Sequence, residues 1–251
     1  MLKRIIPILL LKNGDLVKSI NFRNHKYIGD IFNAVKIYNE LEVDELILMD
    51  ITASKTKNNI NYKFLGEIAT ECFIPLSYAG NINNLEQIEY LIKIGIEKVC
   101  INSASQDHTF ISNAVKKFGA STISICIDYK YIQGEPIVYF SNATIKSNLK
   151  VQDHLSKMIE LNVGEILLQN IDKDGTYSGY DIALLKEVRN KIQNPIVIAG
   201  GCENNFSIKE AFLNGANACA AGSLFVYYTN NKGILINYPD KGEMHEIGID
   251  R

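Results

Sequence analysis

Short apolar runs alternate with stretches of helical period along the whole chain, a pattern that argues for a parallel sheet covered by helices. Runs of strand length occupy positions 3–11, 45–50, 74–79, 98–102, 121–128, 165–170, 195–200 and 218–222. Most are followed by an amphipathic segment. Over 85–94, Leu85, Ile88, Leu91 and Ile92 recur at helical spacing, and 207–213 reads as a second helix ahead of Gly215. Eight strands in this arrangement predict a (β/α)8 barrel, one domain spanning 1–251. The tail, 227–251, departs from the rhythm: GILINYPD reads as an extended piece ended by Pro239 instead of the closing helix a barrel expects.

The chain also repeats itself. The segment 194–225 is an apolar strand ending in Gly-Gly, a helix, and a small-residue strand ending in Gly-Ser, and 74–105 has the same plan. Pro75 matches Pro195, Gly80 matches Gly200, Gly95 matches Gly215 and Ser103 matches Ser223 at one constant offset. The first strands align too, with Leu10 where Asp128 stands in the second half and Lys12 opposite Lys130. Small residues after a strand let backbone N–H groups approach an anion, so a duplicated half-barrel with two phosphate cradles is the leading expectation. The connections 13–29 and 129–148 are long and leave the C-terminal strand ends, the face on which such barrels carry their sites; one of them could serve as a lid.

Candidate chemistry follows from the same pattern. Asp50, Asp128, Asp172 and Asp174 stand at or just beyond strand ends, where a carboxylate can move protons or fix loop backbone. Alternation puts Asp128 on the side of Cys126, toward the barrel interior. The same count sends Arg4, Lys98 and Glu165 inward at the opposite, N-terminal mouth. Glu45 also opens a strand, although alternation from Asp50 does not bring it inward. Two cations and two anions there could form a buried ring, either an inert plug or a gate.

Composition narrows the partners. The chain has 251 residues, 47% hydrophobic and 22% charged, with net charge -2 and no dense Lys/Arg run, which suits a globular protein of small-molecule chemistry better than a nucleic-acid or membrane surface. The apolar opening breaks at Lys12, and nothing reaches the about 18 apolar residues of a membrane span, so a cytoplasmic protein is expected. Five scattered cysteines without C-x-x-C spacing read as reduced thiols, with Cys202 a packing residue. The four histidines show no ligand spacing, and neither a metal nor a cofactor is expected.

Taken together, KRIIPILL, VKSINF, DELILMDITAS, EKVCINSAS, GEILLQNIDKDGTYSGYD and EAFLNGANACAAGSLF resemble the HisF family, the cyclase subunit of imidazole glycerol phosphate synthase. The sister isomerase family, HisA, shares the D-x-DGT-x-SG element, but Asn21-Phe22 and the DITAS at Asp50 are closer to HisF. The resemblance covers about nine-tenths of the chain. It implies a substrate with a phosphate at each end and a HisH-like glutaminase on the N-terminal face, whose ammonia crosses the barrel. Carried over by position, one phosphate would meet Asp174, Gly175, Gly201, Gly222 and Ser223, and the other Asn102 and Ser103. Asp128 would be the catalytic acid-base, and Arg4, Glu45, Lys98 and Glu165 the ammonia gate.

Two departures matter. Asn81 replaces the family's third glycine in the first cradle, and Leu10 replaces the family's second acid-base Asp. Leucine carries no exchangeable proton, and losing one of a catalytic pair commonly costs roughly 10² to 10⁴ in rate. With the GILINYP tail, Leu10 makes the chain look like the HisF-like branch found with glycosyl amidation, the WbuZ-type proteins, which work beside a separate amidotransferase. The first expectation is therefore an ammonia-conducting subunit with weak or lost cyclase activity. A working cyclase of histidine biosynthesis is the alternative, and a non-catalytic phosphosugar-binding barrel the third reading.

Overall fold

A computed structural model describes residues 2–56, 60–228 and 233–250. Eight parallel strands close on themselves: β1 (Arg4–Lys12), β2 (Leu46–Asp50), β3 (Leu76–Ala79), β4 (Lys98–Ile101), β5 (Ile123–Ile132), β6 (Glu165–Asn170), β7 (Ile196–Ala199) and β8 (Ala218–Ala221). Each pairs with its neighbours in chain order, and β8 returns to β1 with Arg4 beside Ala218 and Pro7 beside Ala221. The fold is the (β/α)8 barrel that the alternation predicts.

Two apolar compartments hold it together. The larger lies between strands and helices, where Ile5, Leu9, Leu46, Leu48, Ile125 and Ile127 meet helix residues such as Val35, Ile68 and Leu185. The smaller fills the barrel itself: Ile6, Ile8, Ile47, Cys126, Leu167, Val197, Ala199, Ala218 and Ala220, with Leu10 and Met49 packed against them. Small side chains on β7 and β8 leave room for the large ones on β1, β2 and β6, so the barrel has a packed middle and two open ends. At about 25 cal/mol per Å² of apolar surface removed from water, these compartments are the main source of stability.

Three local features differ from the sequence reading. The connections after β1 and β5 are antiparallel hairpins, Asp15–Ile20 with Arg23–Gly29, and Glu135–Phe140 with Ile145–Lys150, and they extend the sheet upward at the mouth. The tail does supply a closing helix, Lys241–Ile247, begun by a capping box in which Asp240 and Glu243 satisfy each other's backbone N–H groups. Its Met244 and Ile247 are buried, and Glu243 accepts a hydrogen bond from Asn205 Nδ2 at 3.0 Å. GILINYPD does open extended, Gly233–Ile234 pairing antiparallel with Tyr227–Tyr228, and the helix that follows it is too short to show periodicity in the sequence.

The third difference concerns β2. Ile47 and Met49 face the interior, so Asp50 does not, and Glu45, one step before the strand, does. Counting alternation from Asp50 began on the wrong face.

Candidate active site

The C-terminal mouth has two unlike ends. At the second-half end, the loop after β7 turns on Gly200 and Gly201, with φ of +90° and +96°. A Cβ on Gly200 would lie 2.5 Å from Asn170 O, and one on Gly201 2.4 Å from Gly179 O, so only glycine fits either place. Gly175, Gly222, Ser223 and Leu224 complete the lining of a small cleft. The structure thus brings Asp174, Gly175, Gly201, Gly222 and Ser223 together around one hollow.

The hollow also contains Lys18, which the sequence reading passed over. Its ammonium is buried, donates to Ile8 O, and lies where a Cβ on Gly222 would come within 2.7 Å. Burial lowers the Lys18 pKa to about 7, against the pull of Asp174. The absence of a side chain at Gly222 is what makes room for that cation beside the cleft. Asp174 is held by Ser19 Oγ at 2.8 Å and by Phe22 N at 3.3 Å, and burial raises its pKa. Asn21 latches the same loop, donating from its backbone to Asp174 O at 2.9 Å and from Nδ2 to Asp172 O at 2.6 Å. The hairpin after β1 is therefore tied to the cleft in this conformation.

Between the two ends lie Asp128, Gln169 and Leu10. Asp128 is buried on the interior face of β5, accepts a hydrogen bond from Cys126 Sγ at 3.1 Å, and is pushed up to about 7 by burial, which the charge of Asp174 reinforces. Gln169 is its register neighbour on β6. Leu10, on the strand diametrically across the barrel, lines both the small cleft and the larger cavity. The position directly across the barrel from Asp128 is thus an aliphatic side chain that carries no exchangeable proton.

The first-half end is a cavity of about 550 Å³. Gly80, Asn81, Asn102, Ser103, Ser141 and Asn142 are among its lining. Asn102 Nδ2 donates to Cys126 O at 3.0 Å, and Ser103 Oγ accepts from Ser141 N at 2.9 Å and donates to Asn102 Oδ1 at 3.2 Å. These two groups, expected at a phosphate, are bound up with the hairpin after β5. Asp50 borders the cavity, but its Oδ1 accepts from Thr52 N and Ala53 N, both at 2.9 Å, as a cap for helix Ile51–Thr56. Asp172 stands apart, half-exposed and 3.6 Å from Lys130 Nζ. Cys202 is a buried thiol pushed up to about 12, in keeping with a packing role.

At the N-terminal mouth, Arg4, Glu45, Lys98 and Glu165 form a closed ring. Arg4 pairs with both carboxylates through separate guanidinium nitrogens. Lys98 Nζ reaches Glu45 Oε1 at 3.1 Å and Glu165 Oε1 at 3.0 Å, and Ser77 Oγ donates to Glu45 at 2.6 Å. The two carboxylates hold both cations above their ordinary pKa despite burial. Every charge in the ring has partners of opposite sign, and removing one would leave a buried excess charge costing about 3–5 kcal/mol.

Among the described residues there is no group of His, Cys, Asp and Glu that could hold a metal, and no helix long and apolar enough to cross a membrane. Fold and mouth define a (β/α)8 barrel with a glycine-lined cleft, a buried cation and a buried acid at its C-terminal face. The chain belongs to the histidine biosynthesis protein family, whose model matches residues 4–231. It is 41% identical over 248 residues, 97% of this chain and 98% of the relative, to a Leptospira interrogans protein provisionally named imidazole glycerol phosphate synthase subunit HisF. A Pseudomonas aeruginosa relative, provisionally named subunit hisF2, is 39% identical over 96% of this chain and 98% of its own. Imidazole glycerol phosphate synthase subunit HisF of a Hydrogenobaculum species is 36% identical over 97% of this chain and 98% of its own. The chain is a HisF-family barrel.

Proposed function

We propose that this barrel is the ammonia-receiving subunit of a glutamine-dependent amidation system, with its own cyclase chemistry weak or lost. A HisH-like glutaminase would dock on the N-terminal mouth, and ammonia would cross the barrel toward an acceptor held at the C-terminal mouth. The acceptor on this reading is a surface-polysaccharide sugar, served by a separate amidotransferase. The observation that carries the proposal is the contrast along one barrel axis: an intact charged ring at one end, and Leu10 opposite Asp128 at the other. Around the ring, Leu2, Phe73 and Leu213 are 81%, 82% and 75% exposed just before β1, before β3 and before β8, an apolar rim suited to a protein partner. The name hisF2 on the Pseudomonas relative fits an additional copy of such a subunit.

A HisH-like glutaminase mixed with the chain should co-elute with it, and Lys98→Glu should leave the complex but uncouple glutamine use from amidation. Failure to form a complex would overturn the partner, and unchanged coupling would remove the ring from the route. The second reading, a working cyclase of histidine biosynthesis, is favoured by Asp128 and Lys18, both brought to about 7 and thus able to exchange protons near neutrality.

A further inference from the structure

We propose that the first-half end of the mouth takes an uncharged, hydroxyl-rich group, so that the ligand is a sugar monophosphate with its single phosphate in the second-half cleft. This deepens the reading above by naming the substrate class. The larger cavity has three carboxylates in its lining, Asp50, Asp128 and Asp174, and neither lysine nor arginine. A phosphate dianion placed there would meet these carboxylates with His25 as the one histidine in the lining and no lysine or arginine beside it, which is unfavourable in a partly enclosed site. The small cleft, in contrast, sets Lys18 and bare glycine backbone beside its one carboxylate, Asp174, which it shares with the cavity.

What the cavity offers instead is carboxamide. Asn81 stands in the left-handed region at φ 48°, at the position where Gly201 leaves exposed backbone in the other half. Asn142 lines the cavity, and its Nδ2 is buried with no hydrogen-bond partner among the described residues. Gln169 is 4% exposed, lines both cavity and cleft, and makes no side-chain hydrogen bond among the described residues. A buried amide nitrogen without a partner, as at Asn142, is costly, and a carboxamide as a whole both donates and accepts, which matches a hydroxyl. Ser103, whose hydroxyl proton would turn to an anion, already donates it to Asn102 Oδ1 at 3.2 Å. Asn142 lies within Ser141, Asn142 and Ala143, three successive residues at φ 52°, 55° and 60°, a strained tip that places the residue at the cavity.

Equilibrium binding to the full chain tests this with three probes: inorganic phosphate, fructose 6-phosphate and fructose 1,6-bisphosphate. The monophosphate should bind about tenfold tighter than inorganic phosphate and at least as tightly as the bisphosphate, with one ligand displacing one inorganic phosphate. Asn142→Ala should weaken the monophosphate about fivefold to tenfold and leave inorganic phosphate unchanged; Gln169→Leu should weaken the monophosphate similarly. A bisphosphate bound tenfold tighter than the monophosphate, or two inorganic phosphates per chain, would overturn the proposal. So would an Asn142→Ala chain that binds the monophosphate as the parent does. None of these readouts requires a glutaminase or ammonia, so they stand or fall apart from the amidation reading.

Discussion

The two halves of this barrel carry the same strand, turn, helix and strand, yet their mouths differ. In the second half, Gly200 and Gly201 expose backbone that no side chain could share, Gly222 admits the Lys18 ammonium, and Asp128 is a buried acid. In the first half the corresponding places hold Gly80, Asn81, Asn102 and Leu10. The backbone plan tolerates the exchange because Asn, like Gly, adopts a left-handed conformation. The lesson is that scaffold and chemistry diverge separately. A duplicated turn can keep its place in the fold while losing its anion site, and a strand can keep its register while losing its proton carrier.

The sharpest way to break that comparison is to restore the missing acid. With ammonium supplied, Leu10→Asp should raise turnover of the ribulosyl aminoimidazole carboxamide substrate of HisF by roughly 10² to 10⁴. A variant that folds, binds phosphate and shows no gain would mean that the first half has lost more than one group.

A second test reads the acid that remains. Burial raises Asp128 to about 7, so between the ordinary aspartate value and about 7 the folded chain keeps a proton that the unfolded chain has released. Its effect on stability becomes steadily less favourable as pH rises through that window and levels off above it. Asp128→Asn should therefore gain on the parent chain between about pH 4 and about pH 7, by up to roughly 4 kcal/mol in urea or thermal denaturation. A difference that does not change with pH would mean that Asp128 is not a buried acid.

Smaller effects compare the two turns directly. Gly201→Ala places a Cβ 2.4 Å from Gly179 O at φ +96°, and should cost about 1–3 kcal/mol and lower inorganic phosphate affinity about tenfold or more. Asn81→Gly should change stability by less than about 1 kcal/mol and leave inorganic phosphate binding as it is. Equal losses at both positions, measured by calorimetry, would argue that the two cradles still work alike.

Much of this was legible in the sequence because it rests on periodicity. Alternation located the strands, and the constant offset between Gly80 and Gly200 or Ser103 and Ser223 revealed two halves. Arg4, Lys98 and Glu165 could be placed at one mouth by counting inward from strand ends. Glu45 could not, because its strand was counted from Asp50, which turns out to cap a helix. Lys18 was hidden for a different reason. It lies on a hairpin, and the burial of a lysine there depends on the cleft left by Gly222, a contact between distant parts of the chain. Gln169 and Asn142 were hidden likewise: an amide's lack of a partner is a property of packing, and short-range pattern does not carry it. Had the segment 15–29 been read as a strand pair, Lys18 between Val17 and Ser19 would have been the available signal.

The most direct measurement is the turnover of the unmodified chain itself. Purified protein, supplied with ammonium and the ribulosyl aminoimidazole carboxamide substrate, should turn over at least about a hundredfold more slowly than the Hydrogenobaculum HisF relative assayed alongside. A rate matching that relative would contradict the account and make this barrel a working cyclase despite Leu10.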